Sequence, residues 1–132
     1  MADYLIQFSC RLEVGTSDNA ARALAIHKEM VDALERDDIA IGFEVIVDPT
    51  TVGSLLIRDD GGFGEPEHVI AFVLRCAEAI ALTGRWGFAW ANSCSRPRVD
   101  SFGGGAQVLD LGARESLAWT DCEHWLSARL TP

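Results

Sequence analysis

One segment combines a nucleophile with positive charge: Cys94-Ser95-Arg96-Pro97-Arg98, followed by Asp100 and by Gly103-Gly104-Gly105. A guanidinium presents a planar fork of donors that matches a carboxylate or a phosphate. A thiol beside two such cations is shifted toward the thiolate, its reactive form. Three successive glycines permit positive φ or close approach of another backbone. These residue types fit three arrangements. In the simplest, Arg96 or Arg98 pairs with Asp100 to pin the loop, and the glycines form a bulge leading into a strand. In the second, Arg96 and Arg98 engage a protein partner. In the third, the loop grips a small anion and Cys94 attacks it. No acid–base pair accompanies the thiol, so no catalytic residue is assigned. Cys94, Arg96, Arg98, Asp100, Gly103, Gly104 and Gly105 stand as candidate ligand or partner contacts.

Other residues offer less. Gly61-Gly62-Phe63-Gly64 lies where phosphate loops occur, but it matches neither G-x-x-x-x-G-K-S/T nor G-x-G-x-x-G. Its flanking Asp59, Asp60, Glu65 and Glu67 repel phosphate, which leaves a glycine turn. His27 falls on an apolar helix face, His68 in a helix first turn and His124 beside Trp125; none has a local nucleophile or carboxylate in triad context. Asp37-Asp38 and Asp59-Asp60 read as solvated turn carboxylates. Cys10, Cys76, Cys94 and Cys122 are widely spaced. The one close Cys/His pair, Cys122 and His124, points in two directions on a helix, so no metal and no cofactor is expected.

The elements that position these residues follow from periodicity. Tyr4 to Val14 alternates as a half-buried strand. Ser17 or Asp18 caps a helix to about Arg36, with Ala20, Leu24, His27, Val31 and Leu34 on its apolar stripe. Ile39–Asp48 and Val52–Arg58 form a hairpin about Pro49-Thr50-Thr51. Pro66 opens a helix to about Thr83 that is apolar on most sides, and Gly84 ends it. Arg85–Asn92 is a fourth strand with Trp86, Phe88 and Trp90 toward the core and Gly87, Ala89 and Ala91 on the opposite face. Ala106–Leu111 is a fifth strand, and Thr120-x-x-Glu123 caps a short terminal helix to Leu130. The order predicts one α+β domain over residues 1–132: a ferredoxin-like β-α-β-β-α-β antiparallel sheet with two helices on one face, plus a fifth strand and a short C-terminal helix.

The run Ser93-Cys94-Ser95-Arg96-Pro97-Arg98, then Phe102-Gly103-Gly104-Gly105-Ala106, with Trp90 ahead of it, resembles a motif of small uncharacterised proteins carried by phages, plasmids and other mobile elements. The resemblance covers Trp90 to Ala106. It implies a mobile-gene origin, where accessory and defence-modulating proteins are frequent, and it carries no activity with it.

Composition bounds the function. Of 132 residues 48% are hydrophobic, enough for a packed core, and 20 acidic against 11 basic residues give a net charge of −9. That charge disfavours nucleic acid and anionic membranes as partners. No apolar run reaches the roughly 20 residues that span a bilayer, and the N-terminus lacks signal-peptide character, so a cytoplasmic protein is expected. The leading expectation is a non-enzymatic protein-interaction module, a homodimer through the small-residue sheet face. The alternatives are a small anionic-ligand-binding protein or enzyme built on the Cys94–Gly105 loop, and an acidic DNA mimic using Glu29, Asp32, Glu35, Asp37 and Asp38.

Overall fold

The computed structural model describes residues 3–99 and 101–131. The chain runs β1 (Tyr4–Gln7), β2 (Ser9–Glu13), α1 (Ser17–Glu35), β3 (Phe43–Val47), β4 (Ser54–Asp59), α2 (Pro66–Ile80), β5 (Arg85–Cys94), β6 (Gly103–Asp110), β7 (Glu115–Asp121) and α3 (Cys122–Leu130). It is an α+β fold with three helices and two antiparallel sheets, ordered β1-β5-β6-β7 and β2-β4-β3.

Two sheets replace the expected one because the first strand breaks at Phe8. The Phe8 N–H donates to Asp59 Oδ1 at 2.8 Å, and the Phe8 carbonyl accepts from the Asp59 N–H at 3.0 Å. Before this point the chain pairs with β5, with Ile6 opposite Asn92. After it the chain pairs with β4, with Leu12 opposite Leu55. Asp59 Oδ2 also accepts from the Gly62 N–H at 3.2 Å. The Asp59 carboxylate is therefore a structural clasp where a solvated turn residue was expected.

The core lies between the sheets and the two long helices. Val69, Phe72, Val73, Cys76 and Ala77 of α2 have no exposed surface, which makes this the most buried helix, as its all-round apolar sequence predicts. Its last turn closes on Ala81 in the left-handed conformation, three residues before Gly84. The N-cap of α1 is Thr16, whose hydroxyl accepts from the Asn19 N–H at 3.1 Å. Ala20, Ala23, Ile26 and Met30 bury its inner face. His27 sits half-buried between Phe43 and Phe72 and donates to the Phe43 carbonyl at 3.1 Å. The aromatic residues of β5 face the core, with Phe88 buried and Trp86 and Trp90 packed against the cluster. Gly87, Ala89 and Ala91 are exposed on the other side.

Acid sensitivity follows from two sites. Asp48 is buried at the end of β3 and accepts hydrogen bonds from Arg11, the Thr50 N–H and the Thr50 hydroxyl. The Arg11 bond first, then those from Thr50, hold its carboxyl down at about 2. Burial lowers the His27 pKa, and its bond to Phe43 offsets part of that. Both groups are depressed on folding, so each stabilises the fold at higher pH and loses that contribution on acidification. We predict that the urea midpoint falls first as pH drops through about 6.5, where unfolded histidine titrates, and again between about 4 and 2. Asp48→Asn should flatten the second step and leave the first. A midpoint unchanged from pH 7 to 3 would contradict both assignments.

Candidate binding surfaces

The loop between β5 and β6 places the residues of the sequence motif separately. Arg96, Pro97, Arg98 and Val99 are exposed at its tip, with the Arg98 N–H bonded to the Arg96 carbonyl at 2.8 Å. Among the described residues neither arginine forms an ion pair. Asp100 lies outside the described residues, as does its expected pairing. The loop base is tied to the N-terminal strand: the Ser95 N–H donates to the Asp3 carbonyl at 2.9 Å and the Asp3 N–H to Ser95 Oγ at 2.7 Å. Cys94 is half-buried at the end of β5, opposite Tyr4.

A cleft of about 350 Å³ opens beside this loop. Ser101, Phe102, Gly103 and Gly104 line one side, Tyr4 and Asn92 the other, and Asp121 and Glu123 supply its charge. Arg96, Arg98 and Cys94 do not line it. The loop thus has a neighbouring cleft, but a carboxylate-bearing one, and its cations stand apart from it.

The glycine run has a specific physical role. Gly104 lies opposite Ala91 with φ +153°, and a Cβ there would collide with the Trp90 carbonyl oxygen. Gly105 lies opposite Trp90, and a Cβ there would collide with the Trp90 indole. The indole is therefore laid across β6 toward β7, in space that only glycine leaves free. This links the tryptophan and the glycines of the motif as one packing unit.

The same unit forms the floor of a second, larger groove of about 600 Å³ on the helix side of the sheet. Trp90, Gln107 and Trp119 line its floor. Ile6 closes one end, Pro66 and Ile70 of α2 form the wall, and Glu65 and Glu67 provide its charges. Trp119 is on β7, a strand beyond the five that periodicity predicts, and it is 61% exposed.

The C-terminal arm is the third feature. In β7 every residue but Asp121 is exposed, and α3 has no buried residue. Leu117, Trp125, Leu126 and Leu130 show 42%, 55%, 52% and 73% of their surface. Leu126 borders two shallow depressions, one shared with Phe102 and Cys122, the other with Thr120, Cys122 and Trp125. Leu126 and Cys122 thus join Phe102 and Trp125 into one patch. The α3 cap is Asp121, which accepts from the His124 N–H at 2.6 Å, one residue beyond the Thr120 expected. β7 is also the end strand of its sheet, so among the described residues its outer backbone edge has no strand partner.

Cys10 and Cys76 are poor nucleophile candidates, since burial pushes both thiols up to about 12. Among the described residues no group of three His, Cys, Asp or Glu side chains is placed to hold a metal ion, and no helix is long and apolar enough to cross a membrane. No family model, curated protein or solved structure matches this chain.

Proposed function

We propose that this chain is a non-enzymatic protein-interaction module that works as a homodimer through its β7–α3 arm, and that its role is that of a mobile-element accessory protein. The observation that carries the dimer is α3 itself. A helix of nine residues is marginal in water without tertiary packing, yet none of its residues is buried within one chain. It exposes Trp125, Leu126 and Leu130 together, and adjoining large apolar side chains of this kind suit an interaction surface. An unpaired edge strand beside it invites strand addition. Antiparallel pairing of β7 with β7 of a second copy is self-complementary, so one two-fold interface satisfies both features.

The ferredoxin-like plan belongs to the same reading. If β1 and β2 are the two halves of one bent strand, the order β5, β1/β2, β4, β3 with α1 and α2 as crossovers is that plan. β6 and β7 then extend it beyond β5, and the added strands form the interface. Four free thiols fit the reducing cytoplasm. The mobile-element role rests on the motif resemblance, and the exposed Arg96 and Arg98 would meet a further, acidic partner.

Sedimentation equilibrium tests the dimer. A mass of two chains at micromolar concentration is expected. A mass of one chain at every concentration up to the millimolar range removes the homodimer.

A further inference from the structure

We propose that the Trp90–Trp119 groove is a binding site for an organic cation, specifically an alkylated ammonium ion with an apolar body. This inference does not rest on the dimer: Trp119 is the one lining residue from the β7–α3 arm among the described residues, and the others come from β1, β5, β6 and the start of α2.

Three observations carry it. The groove is lined by two indoles, Trp90 and Trp119, whose ring faces attract cations, tryptophan most strongly of the aromatic residues. Among the described residues its only charged lining residues are the carboxylates Glu65 and Glu67, and no lysine, arginine or histidine lines it. The remaining wall is aliphatic, from Ile6, Pro66 and Ile70. A strongly hydrated metal ion or a primary ammonium would give up its water along this wall and regain bonds only at the two carboxylates. An alkylated ammonium is weakly hydrated and presents methyl groups, so its body suits the aliphatic wall while its charge meets the rings and carboxylates. An anion would meet two like charges. The volume of about 600 Å³ lies within the range of small-molecule sites.

The architecture around the groove supports a built site. Gly105 has to lack a side chain for the Trp90 indole to lie across β6. Trp119 sits opposite Gln107 on the next strand, which carries the second indole to the far side of the same floor. Glu65 Oε2 lies 3.8 Å from His68 Nε2, while Glu67 is exposed and forms no ion pair among the described residues.

Choline and its uncharged isostere 3,3-dimethylbutan-1-ol provide the test, with the four indole N–H resonances as the readout. Trp86 donates its N–H to the Arg11 carbonyl at 2.8 Å and serves as an internal control. Choline should shift Trp90 and Trp119 saturably and leave Trp86 unmoved. The alcohol should bind about tenfold more weakly, and Trp119→Leu should weaken choline by about the same factor. Because Trp119 is mostly exposed, that variant keeps the fold. Glu65→Gln with Glu67→Gln should weaken choline several-fold and leave the alcohol unchanged. Equal affinity for the two compounds, undiminished binding by Trp119→Leu, or the absence of a saturable shift would each overturn the proposal.

Discussion

Leu126→Asp should turn the proposed dimer into a monomer without unfolding the chain. Leu126 sits at the centre of the α3 patch and is half exposed in the single chain, so aspartate there costs the monomer little. In a dimer the same carboxylate is buried against the apolar surface of the other copy without a partner. A buried unpaired charge costs about 3–5 kcal/mol, which raises the dissociation constant by at least about a hundredfold. The sedimenting mass should halve at concentrations where the wild type is dimeric, and the near-ultraviolet dichroism of the core aromatics should persist. Leu126→Met, which keeps the apolar contact, should remain dimeric. A Leu126→Asp protein that sediments as the wild type does would place any interface elsewhere.

The second large effect is expected at Gly104. Alanine there takes on a φ of +153°, which costs about 1–3 kcal/mol as backbone strain. Its Cβ also collides with the carbonyl of Trp90 on the paired strand, and a backbone atom within a ladder has no rotamer through which to retreat. Overpacking of that kind adds about 1–3 kcal/mol. Together they remove about 2–6 kcal/mol, a large share of the roughly 5–15 kcal/mol that holds a domain folded. The neighbours calibrate the experiment. At Gly103 the new Cβ meets only Cys122 Cβ at 3.6 Å, so Gly103→Ala should stay within about 0.5 kcal/mol. At Gly105 the obstacle is the Trp90 indole, so Gly105→Ala should shift tryptophan emission as the ring moves off β6. Urea unfolding of the three variants measures the order. Equal midpoints at Gly103 and Gly104 would refute the packing role assigned to the glycine run.

Much of the fold is legible along the chain because it rests on local periodicity. The apolar stripe of α1, the all-round apolar α2, and the Trp86-Phe88-Trp90 alternation of β5 each commit their residues to the core without long-range information. The break at Phe8 is invisible to the same reasoning. Ile6, Phe8 and Cys10 keep alternating through it, and its cause is the side chain of Asp59, which lies 51 residues away. β7 escapes for a different reason: Ser116, Ala118 and Thr120 are small and give no strongly polar face against Leu117 and Trp119.

The candidate surfaces divide the same way. The motif's residues stand out in the sequence, and Trp90 with Gly103 to Gly105 does form a unit. What makes it one is the β5–β6 register, which sets Trp90 opposite Gly105. Glu65 and Glu67 read locally as acids complementing the start of α2. Only the tertiary arrangement brings them to the groove that Trp90 and Trp119 floor. Arg96 and Arg98, the most conspicuous charges in the sequence, are exposed at the loop tip and line neither cleft.

Amide hydrogen exchange over Cys122–Leu130, followed as a function of protein concentration, tests the dimer through its most exposed element. The helix should be protected at concentrations where two chains associate, lose that protection on dilution, and lose it at all concentrations in Leu126→Asp. Protection of α3 that does not change with concentration, or exchange at the unfolded-chain rate throughout, would contradict the account.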